Sequence, residues 1–283
     1  MGTEIYYFSG TGNSLFVAKE LQKRLPEAVL IPVASLADQK AFATNAGTVG
    51  FVFPVHATTI PFAIKDFIAK ADLSSAAYLF AVATRRGTVF HGFDVMDAML
   101  KKSSKQLGAR FLLNMYGNEA NREGYRVPSP DELNGIEAAV LNKLDSIADT
   151  VKSRRSSLEK DTEAFIPVDP KKDWLPEKKA LAGKTLAEMI GGKNYFYADD
   201  KCTGCGICKR VCPTGKISIY SRKPEWQKKT LCHMCFACLN YCPRQAVQVG
   251  NISGVKSNSE SNGRYLHPYA DSNDIAAQKH SDR

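Results

Sequence analysis

No run of apolar residues in this 283-residue chain is longer than a β-strand. The best, Ala76–Ala83, falls far short of the roughly 20 residues that cross a bilayer. The opening Met1-Gly2-Thr3-Glu4 has no basic segment ahead of an apolar run, so no secretory signal is read. Tyr6 stands where a myristoylation signal has Ser or Thr. Cysteine is missing from most of the chain: all 8 lie within residues 201–250. Acid is nearly missing from that same window, where Glu225 stands alone against 9 Lys and Arg. The net charge of +9 is therefore local. Residues 1–150 carry 15 basic and 15 acidic side chains, 151–200 carry 10 and 9, and 251–283 carry 4 and 4. A basic chain ordinarily points to nucleic acid or a membrane surface. Charge confined to one small cysteine-rich module does not, and no nucleic-acid recognition module is readable. A cytoplasmic chain without a membrane span is expected, where clustered cysteines serve metal more often than disulfides.

What is present divides in four. Over residues 1–152, short buried apolar runs alternate with amphipathic stretches. Ile5–Phe8, Val29–Val33, Val49–Val55, Tyr78–Ala83 and Phe111–Met115 read as strands, and Ser14–Leu25, Pro61–Ala71, Phe93–Leu107 and Asp131–Ser153 as helices. That alternation predicts an α/β fold, a doubly wound five-strand parallel sheet with helices on both faces. Residues 153–198 read as a charged connector broken by Pro167, Pro170 and Pro176, with a short helix over Lys184–Ile190. Residues 199–250 form the cysteine module. Residues 251–283 are a polar tail whose Ser and Asn content suggests disorder, except for Arg264–Tyr269, aromatic enough to dock.

The cysteine module is a duplication with a 30-residue period. Cys202, Cys205, Cys208 and Cys212 recur as Cys232, Cys235, Cys238 and Cys242; each half reads C-x2-C-x2-C-x3-C-P and then runs into a β-branched segment. Three thiolates at this spacing can wrap one face of a cubic iron–sulfur cluster from a tight loop. The fourth, before Pro, opens a segment leading toward the other half. Two structural zinc sites are the plainer alternative for eight thiolates, but those pair well-separated C-x2-C knuckles. The spacing closely resembles the bacterial-type two-cluster ferredoxins, small α+β modules holding two [4Fe-4S] clusters. The resemblance implies crossed ligation: Cys202, Cys205, Cys208 and Cys242 for one cluster, and Cys232, Cys235, Cys238 and Cys212 for the other.

The first predicted strand runs into Ser9-Gly10-Thr11-Gly12-Asn13-Ser14 and then a helix. Consecutive backbone N–H groups and short hydroxyls at a helix N-terminus can bind a phosphate without any cationic side chain, and the loop has none. A dinucleotide fingerprint would need Gly at Leu15, and a P-loop would need Gly-Lys-Ser/Thr. The plainer alternative is an ordinary turn with Ser14 as N-cap. The segment is similar to the FMN phosphate loop of flavodoxins. That resemblance implies strand order 2-1-3-4-5, with the flavin over the carboxyl ends of the strands. Two further loops would then face the ring: one with Pro54, His56 and Thr58, the other with Thr84 and Gly87. Neither loop carries the Trp or Tyr usual there; His56, Phe62 and Phe90 stand nearest.

Together the halves resemble the flavodoxin–ferredoxin fusion proteins of anaerobic prokaryotes. Also matching are Asp199-Asp200-Lys201, Pro224-Glu225-Trp226, Gly263-Arg264-Tyr265 with His267-Pro268, and Met115 with Asn118, which would sit at the cofactor. The resemblance implies FMN, two [4Fe-4S] clusters and a low-potential electron relay to a partner reductase with an acidic docking face. The alternative is an FMN-dependent reductase of a small acceptor such as a quinone, fed by its own clusters. Candidate residues for that chemistry are His56, Arg85, Arg86 and His91.

Overall fold

The computed structural model describes residues 2–56, 58–158, 195–251 and 256–280. The helix expected over Lys184–Ile190 lies outside them.

Five parallel strands form the central sheet: β1 (Thr3–Tyr7), β2 (Ala28–Pro32), β3 (Thr48–Pro54), β4 (Tyr78–Arg85) and β5 (Ala109–Asn114), in the order β2-β1-β3-β4-β5. This is the doubly wound order expected from the flavodoxin resemblance. The register aligns Tyr7 with Val52 of β3, and Val52 with Val82 of β4. β4 is buried along its whole length, so its apolar run is continuous rather than alternating. Gly50 in β3 is required by close packing, since a β-carbon there would lie 2.2 Å from the Phe80 ring.

Four helices cover the sheet. α1 (Asn13–Arg24) and α4 (Pro130–Lys152) pack together, as do α2 (Phe62–Lys70) and α3 (Gly92–Leu100). α3 is shorter than the expected Phe93–Leu107, because the chain tightens into a 3-10 turn at Lys101–Ser103 and Ser104 turns left-handed at φ 54°. α4 begins in a capping box, with Ser129 accepting from the Glu132 amide and the Glu132 carboxylate accepting from the Ser129 amide, and Pro130 behind it. Arg126 beside Glu132 holds that carboxyl down to about 2.

The cysteine module is built on its duplication. β6 (Phe196–Ala198) pairs antiparallel with β9 (Val247–Val249), and β7 (Ile217–Tyr220) with β8 (Lys223–Trp226). Two one-turn helices, α5 (Ile207–Arg210) and α6 (Ala237–Asn240), face each other. The period is visible in the backbone. Left-handed Gly204, Gly206 and Gly215 recur 30 residues on as Met234, Phe236 and Gln245, at φ 49°, 60° and 48°. The second half therefore holds three side-chain-bearing residues in a conformation each costing about 1–2 kcal/mol.

Two expectations are corrected. Phe196–Ala198, placed in the connector, belongs to the cysteine module through its pairing with β9. The tail is not disordered over residues 256–280. Asn262 donates to the carbonyls of Ala120 and Arg122, Ser259 is buried, and a short helix α7 (Ser272–Ala277) is capped by Asp271. Its polar residues are satisfied by backbone of the other two domains, which composition could not reveal. No helix of the described residues is long and apolar enough to cross a membrane.

Candidate functional site

The eight thiols fall into two groups, and each group crosses the repeat. Cys202, Cys205 and Cys208 line one cavity together with Cys242 of the other half. Cys235 and Cys238 lie beside Cys232 and beside Cys212 of the first half. The crossing follows from the chain path: Cys-Pro ends each one-turn helix and turns the fourth cysteine away from the first three. Among the described residues no three His, Cys, Asp or Glu converge as ligands of a single metal ion would. Backbone amides approach the sulfurs, Met234 donating to Cys232 Sγ at 3.4 Å and Ala246 to Cys242 Sγ at 3.2 Å. Burial pushes the Cys208 thiol up to about 11 and raises those of Cys235 and Cys238 further. Thiolates there therefore need a compensating positive core. Cys205 alone of the eight is exposed, so the first group opens to solvent while the second faces inward. Gly204 lets the β7–β8 turn close over the first group; a β-carbon would lie 2.4 Å from the Arg222 carbonyl.

The loop Ser9–Ser14 sits at the carboxyl end of β1, as the sequence places it. The helix it opens has Gly12 as N-cap, left-handed at φ 105°, with no side-chain cap and no acid in the first turn. Ser14 is therefore not the N-cap. Its hydroxyl instead lies 2.8 Å from that of Thr84, joining β1's loop to the end of β4. A buried helix N-terminus without a cap, flanked by the hydroxyls of Ser9, Thr11 and Ser14, has the donor set of a phosphate cradle.

The loop's outer face is covered by the rest of the chain. A β-carbon on Gly10 would lie 2.2 Å from the carbonyl oxygen of Cys235, so the second cysteine group sits directly on the loop. Asn118 donates to Thr11 Oγ1 at 3.1 Å and to the Cys235 carbonyl at 3.4 Å, and its own carbonyl accepts from Asn240. The tail completes the cover. His267 donates its backbone N–H to the Thr11 carbonyl, Tyr265 its hydroxyl to Asn13 Oδ1, and Gln278 bonds both backbone groups of Ser9. The His267 ring stacks on Phe16 at 4.3 Å, and burial lowers its pKa to about 4.

The ring-facing candidates separate. Pro54 ends β3, and Thr58, left-handed at φ 63°, accepts from the His91 amide, tying the two loops together. Gly87 turns left-handed at φ 82°. Phe62 meets a residue from the cysteine module: His233 lies 5.7 Å from Phe62 and 5.6 Å from Phe8, and Phe8 in turn lies 6.1 Å from His56. Phe90 is core instead, packed edge-on against Phe93 at 4.7 Å. Arg85 is buried, donating to Asn114 Oδ1 and the Thr88 carbonyl, which makes it a brace for the β4 loop. Arg86 lies across Gly117, and His91 is exposed at the start of α3. His233, Asn240 and Gln278, whose contacts reach across the chain, and the buried Lys216, bonded 11 and 14 residues on, are not among the candidates the sequence offers. For Lys216 a signal existed: its counterpart 30 residues on is Ala246.

A family model described as a 4Fe-4S dicluster domain matches residues 194–243. Two curated proteins are similar over the same region. One is a probable iron-sulfur subunit of the Frd operon of Proteus vulgaris, 36% identical over 78 residues, 21% of this chain and 50% of that one. The other is an uncharacterized ferredoxin of Methanocaldococcus jannaschii, 30% identical over 71 residues, 22% of this chain and 86% of that one. The chain thus spans about half the length of the first relative. Among solved structures, a flavodoxin from the domain Archaea is 13% identical, with 54% of this chain and 99% of that one aligned at a TM-score of 0.35. An NAD(P)H:quinone oxidoreductase from Methanothermobacter marburgensis is 10% identical, with 54% and 96% aligned at 0.34. Through its cysteine module the chain belongs to the ferredoxins, as an iron–sulfur protein of the 4Fe-4S dicluster type. That module follows, in one polypeptide, a five-strand parallel sheet of flavodoxin-like strand order.

Proposed function

We propose that this protein relays electrons within one molecule, between FMN held at Ser9–Ser14 and two [4Fe-4S] clusters, and through them serves a partner reductase. The observation that carries the reading is the seat of Cys235 on Gly10, which sets the inward cysteine group against the phosphate loop. Cys212, Cys232, Cys235 and Cys238 would ligate the inner cluster, and Cys202, Cys205, Cys208 and Cys242 the outer one. The uncapped amides at the start of α1 and the hydroxyls of Ser9 and Thr11 would hold the FMN phosphate. When bound, FMN supplies a carrier that exchanges electrons singly or in pairs, whereas each cluster carries one. Asn118 holds the phosphate loop and the Cys235 backbone in fixed register, and the tail excludes water from the outside of that loop. Covalent tethering keeps the two carriers at high effective concentration.

The exposed Cys205 supports the outer group as the port. Around it Lys201, Arg222, Lys223 and Arg244 are exposed, a basic rim suited to an acidic partner. The test is an anaerobic visible and EPR spectrum of the full chain with iron, sulfide and flavin counts. Two clusters and one FMN per chain are expected; zinc in place of iron would overturn the reading. Transfer to an acidic acceptor should slow as ionic strength rises, and a salt-independent rate would remove the steering role. Turnover of a quinone by the loaded protein without any partner protein would make it a reductase instead.

A further inference from the structure

Lys216 is a lysine in the wrong place for a surface cation. Its side chain is 1% exposed. The ammonium donates to the carbonyls of Gln227 at 2.5 Å and Thr230 at 2.6 Å, both in the segment that leads into Cys232. It is in no ion pair with a carboxylate among the described residues. The groups that would oppose its charge are the Cys232 and Cys212 thiols, once ionised as ligands. A buried ammonium is costly unless an opposite charge compensates it. Carbonyl dipoles satisfy two of its three donors but leave the charge unbalanced.

The internal repeat makes the placement informative. Lys216 follows Cys212 by four residues, and the residue four after Cys242 is Ala246, whose amide bonds Cys242 Sγ. One half of a duplicated module therefore carries a buried positive charge where the other carries a methyl group. The outer group does have a cation nearby, Arg264, but that guanidinium also faces Asp199 and is spread over the carbonyls of Leu239, Val247 and Asn262. Lys279, half-buried, adds a second cation near Cys212.

We infer that Lys216 is a fixed positive charge that holds and tunes the inner cluster, the one ligated by Cys212, Cys232, Cys235 and Cys238, and leaves the outer one alone. The inference rests on the cluster assignment proposed above. One-electron reduction adds a negative charge to the site, so a cation fixed beside two of its thiolates stabilises the reduced form more than the oxidised one. The two clusters thereby become unequal, and the inner one is the easier to reduce.

The experiment is an EPR-monitored redox titration of the full chain reconstituted with iron and sulfide, comparing wild type with Lys216→Gln and Lys216→Arg. Gln keeps a donor for the Gln227 and Thr230 carbonyls and removes only the charge; Arg keeps the charge. In Lys216→Gln one midpoint is expected to fall by a tenfold or greater change in its equilibrium constant, about 59 mV or more, with the other unmoved. Lys216→Arg should stay close to wild type. An unchanged midpoint in a fully loaded Gln variant overturns the inference, as does an equal shift in the Arg variant. Should Lys216→Gln lose half its iron while Lys216→Arg keeps it, the charge is needed to retain the cluster and the inference stands; loss in both variants overturns it. A wild type without two clusters would defeat the cluster assignment itself, a result the iron count separates from any effect at Lys216.

Discussion

Gln278 closes both hydrogen bonds on the backbone of Ser9, 269 residues away: its Oε1 accepts from the Ser9 amide at 2.9 Å and its Nε2 donates to the Ser9 carbonyl at 3.0 Å. The end of the chain is thereby latched to the start of the phosphate loop, in a buried setting where each unmade bond costs about 1–3 kcal/mol. Gln278→Ala should lose about 2 kcal/mol or more and weaken the proposed FMN binding, read by thermal unfolding and by quenching of flavin fluorescence on titration. Gln278→Glu should do no better, because a carboxylate cannot donate to the Ser9 carbonyl. Wild-type FMN affinity in both variants would show that the latch does not shape the loop.

Gly10 is a point of close backbone approach between the two domains. A β-carbon there would meet the Cys235 carbonyl at 2.2 Å, and backbone on both sides has no rotamer to yield. Gly10→Ala is expected to lower stability by about 1–3 kcal/mol through forced displacement. Since the contact joins the domains, far-ultraviolet circular dichroism should stay near wild type while the unfolding transition broadens or splits. A single unaltered transition would mean the seat is not tight.

Crossed grouping of the thiols predicts which cluster each cysteine serves. Cys242→Ala should remove or alter the outer cluster and spare the inner one. Cys212→Ala should do the reverse, despite lying in the first half of the repeat. Each should lower the iron count, and the surviving EPR signals should differ. If Cys242→Ala instead spared the outer cluster, each half would be ligating its own.

His267 makes stability depend on pH. Its pKa is lowered from 6.5 to about 4 by burial between Phe16 and the loop. The unfolded chain therefore binds a proton below pH 6.5 that the folded chain refuses. Stability is full above that pH, declines as pH falls toward 4, and levels off below, by up to about 3 kcal/mol. His267→Phe keeps a stacking ring without a titrating group, so it should flatten the slope between pH 6.5 and 4.5 in denaturant titrations of matched samples. An unchanged slope would assign the acid sensitivity to other groups.

Much of this architecture is legible in residue order. The five strands follow from buried apolar runs and their order from the flavodoxin resemblance, with boundaries moved by a residue or two: Ile5–Phe8 became Thr3–Tyr7, because pairing with β2 and β3 begins at Thr3. The repeated thiol spacing is read directly, and the crossed grouping is what the ferredoxin resemblance implies. Less is legible where polar residues meet distant backbone. The tail reads as disordered because Ser259, Asn262 and Gln278 look like solvated residues, and only the carbonyls and amides they reach make them structural. Phe90 and Arg85 read as cofactor candidates from their loop, yet one completes an aromatic core and the other braces Asn114.

Features that depend on neighbours along the chain needed nothing but the order of residues. They are the Ser9–Ser14 loop, the repeated cysteine spacing, and the concentration of the positive charge, 9 Lys and Arg against one acid, in one module. Such features act over a few residues, where backbone geometry and side-chain chemistry leave few choices. Three outcomes needed the folded molecule: the inner cysteine group rests on the phosphate loop, the tail locks over both, and one lysine of the basic window turns inward. The first two depend on surfaces brought together from more than 200 residues apart, and in all three burial gives the same ammonium or amide a different energy from the one it has in water.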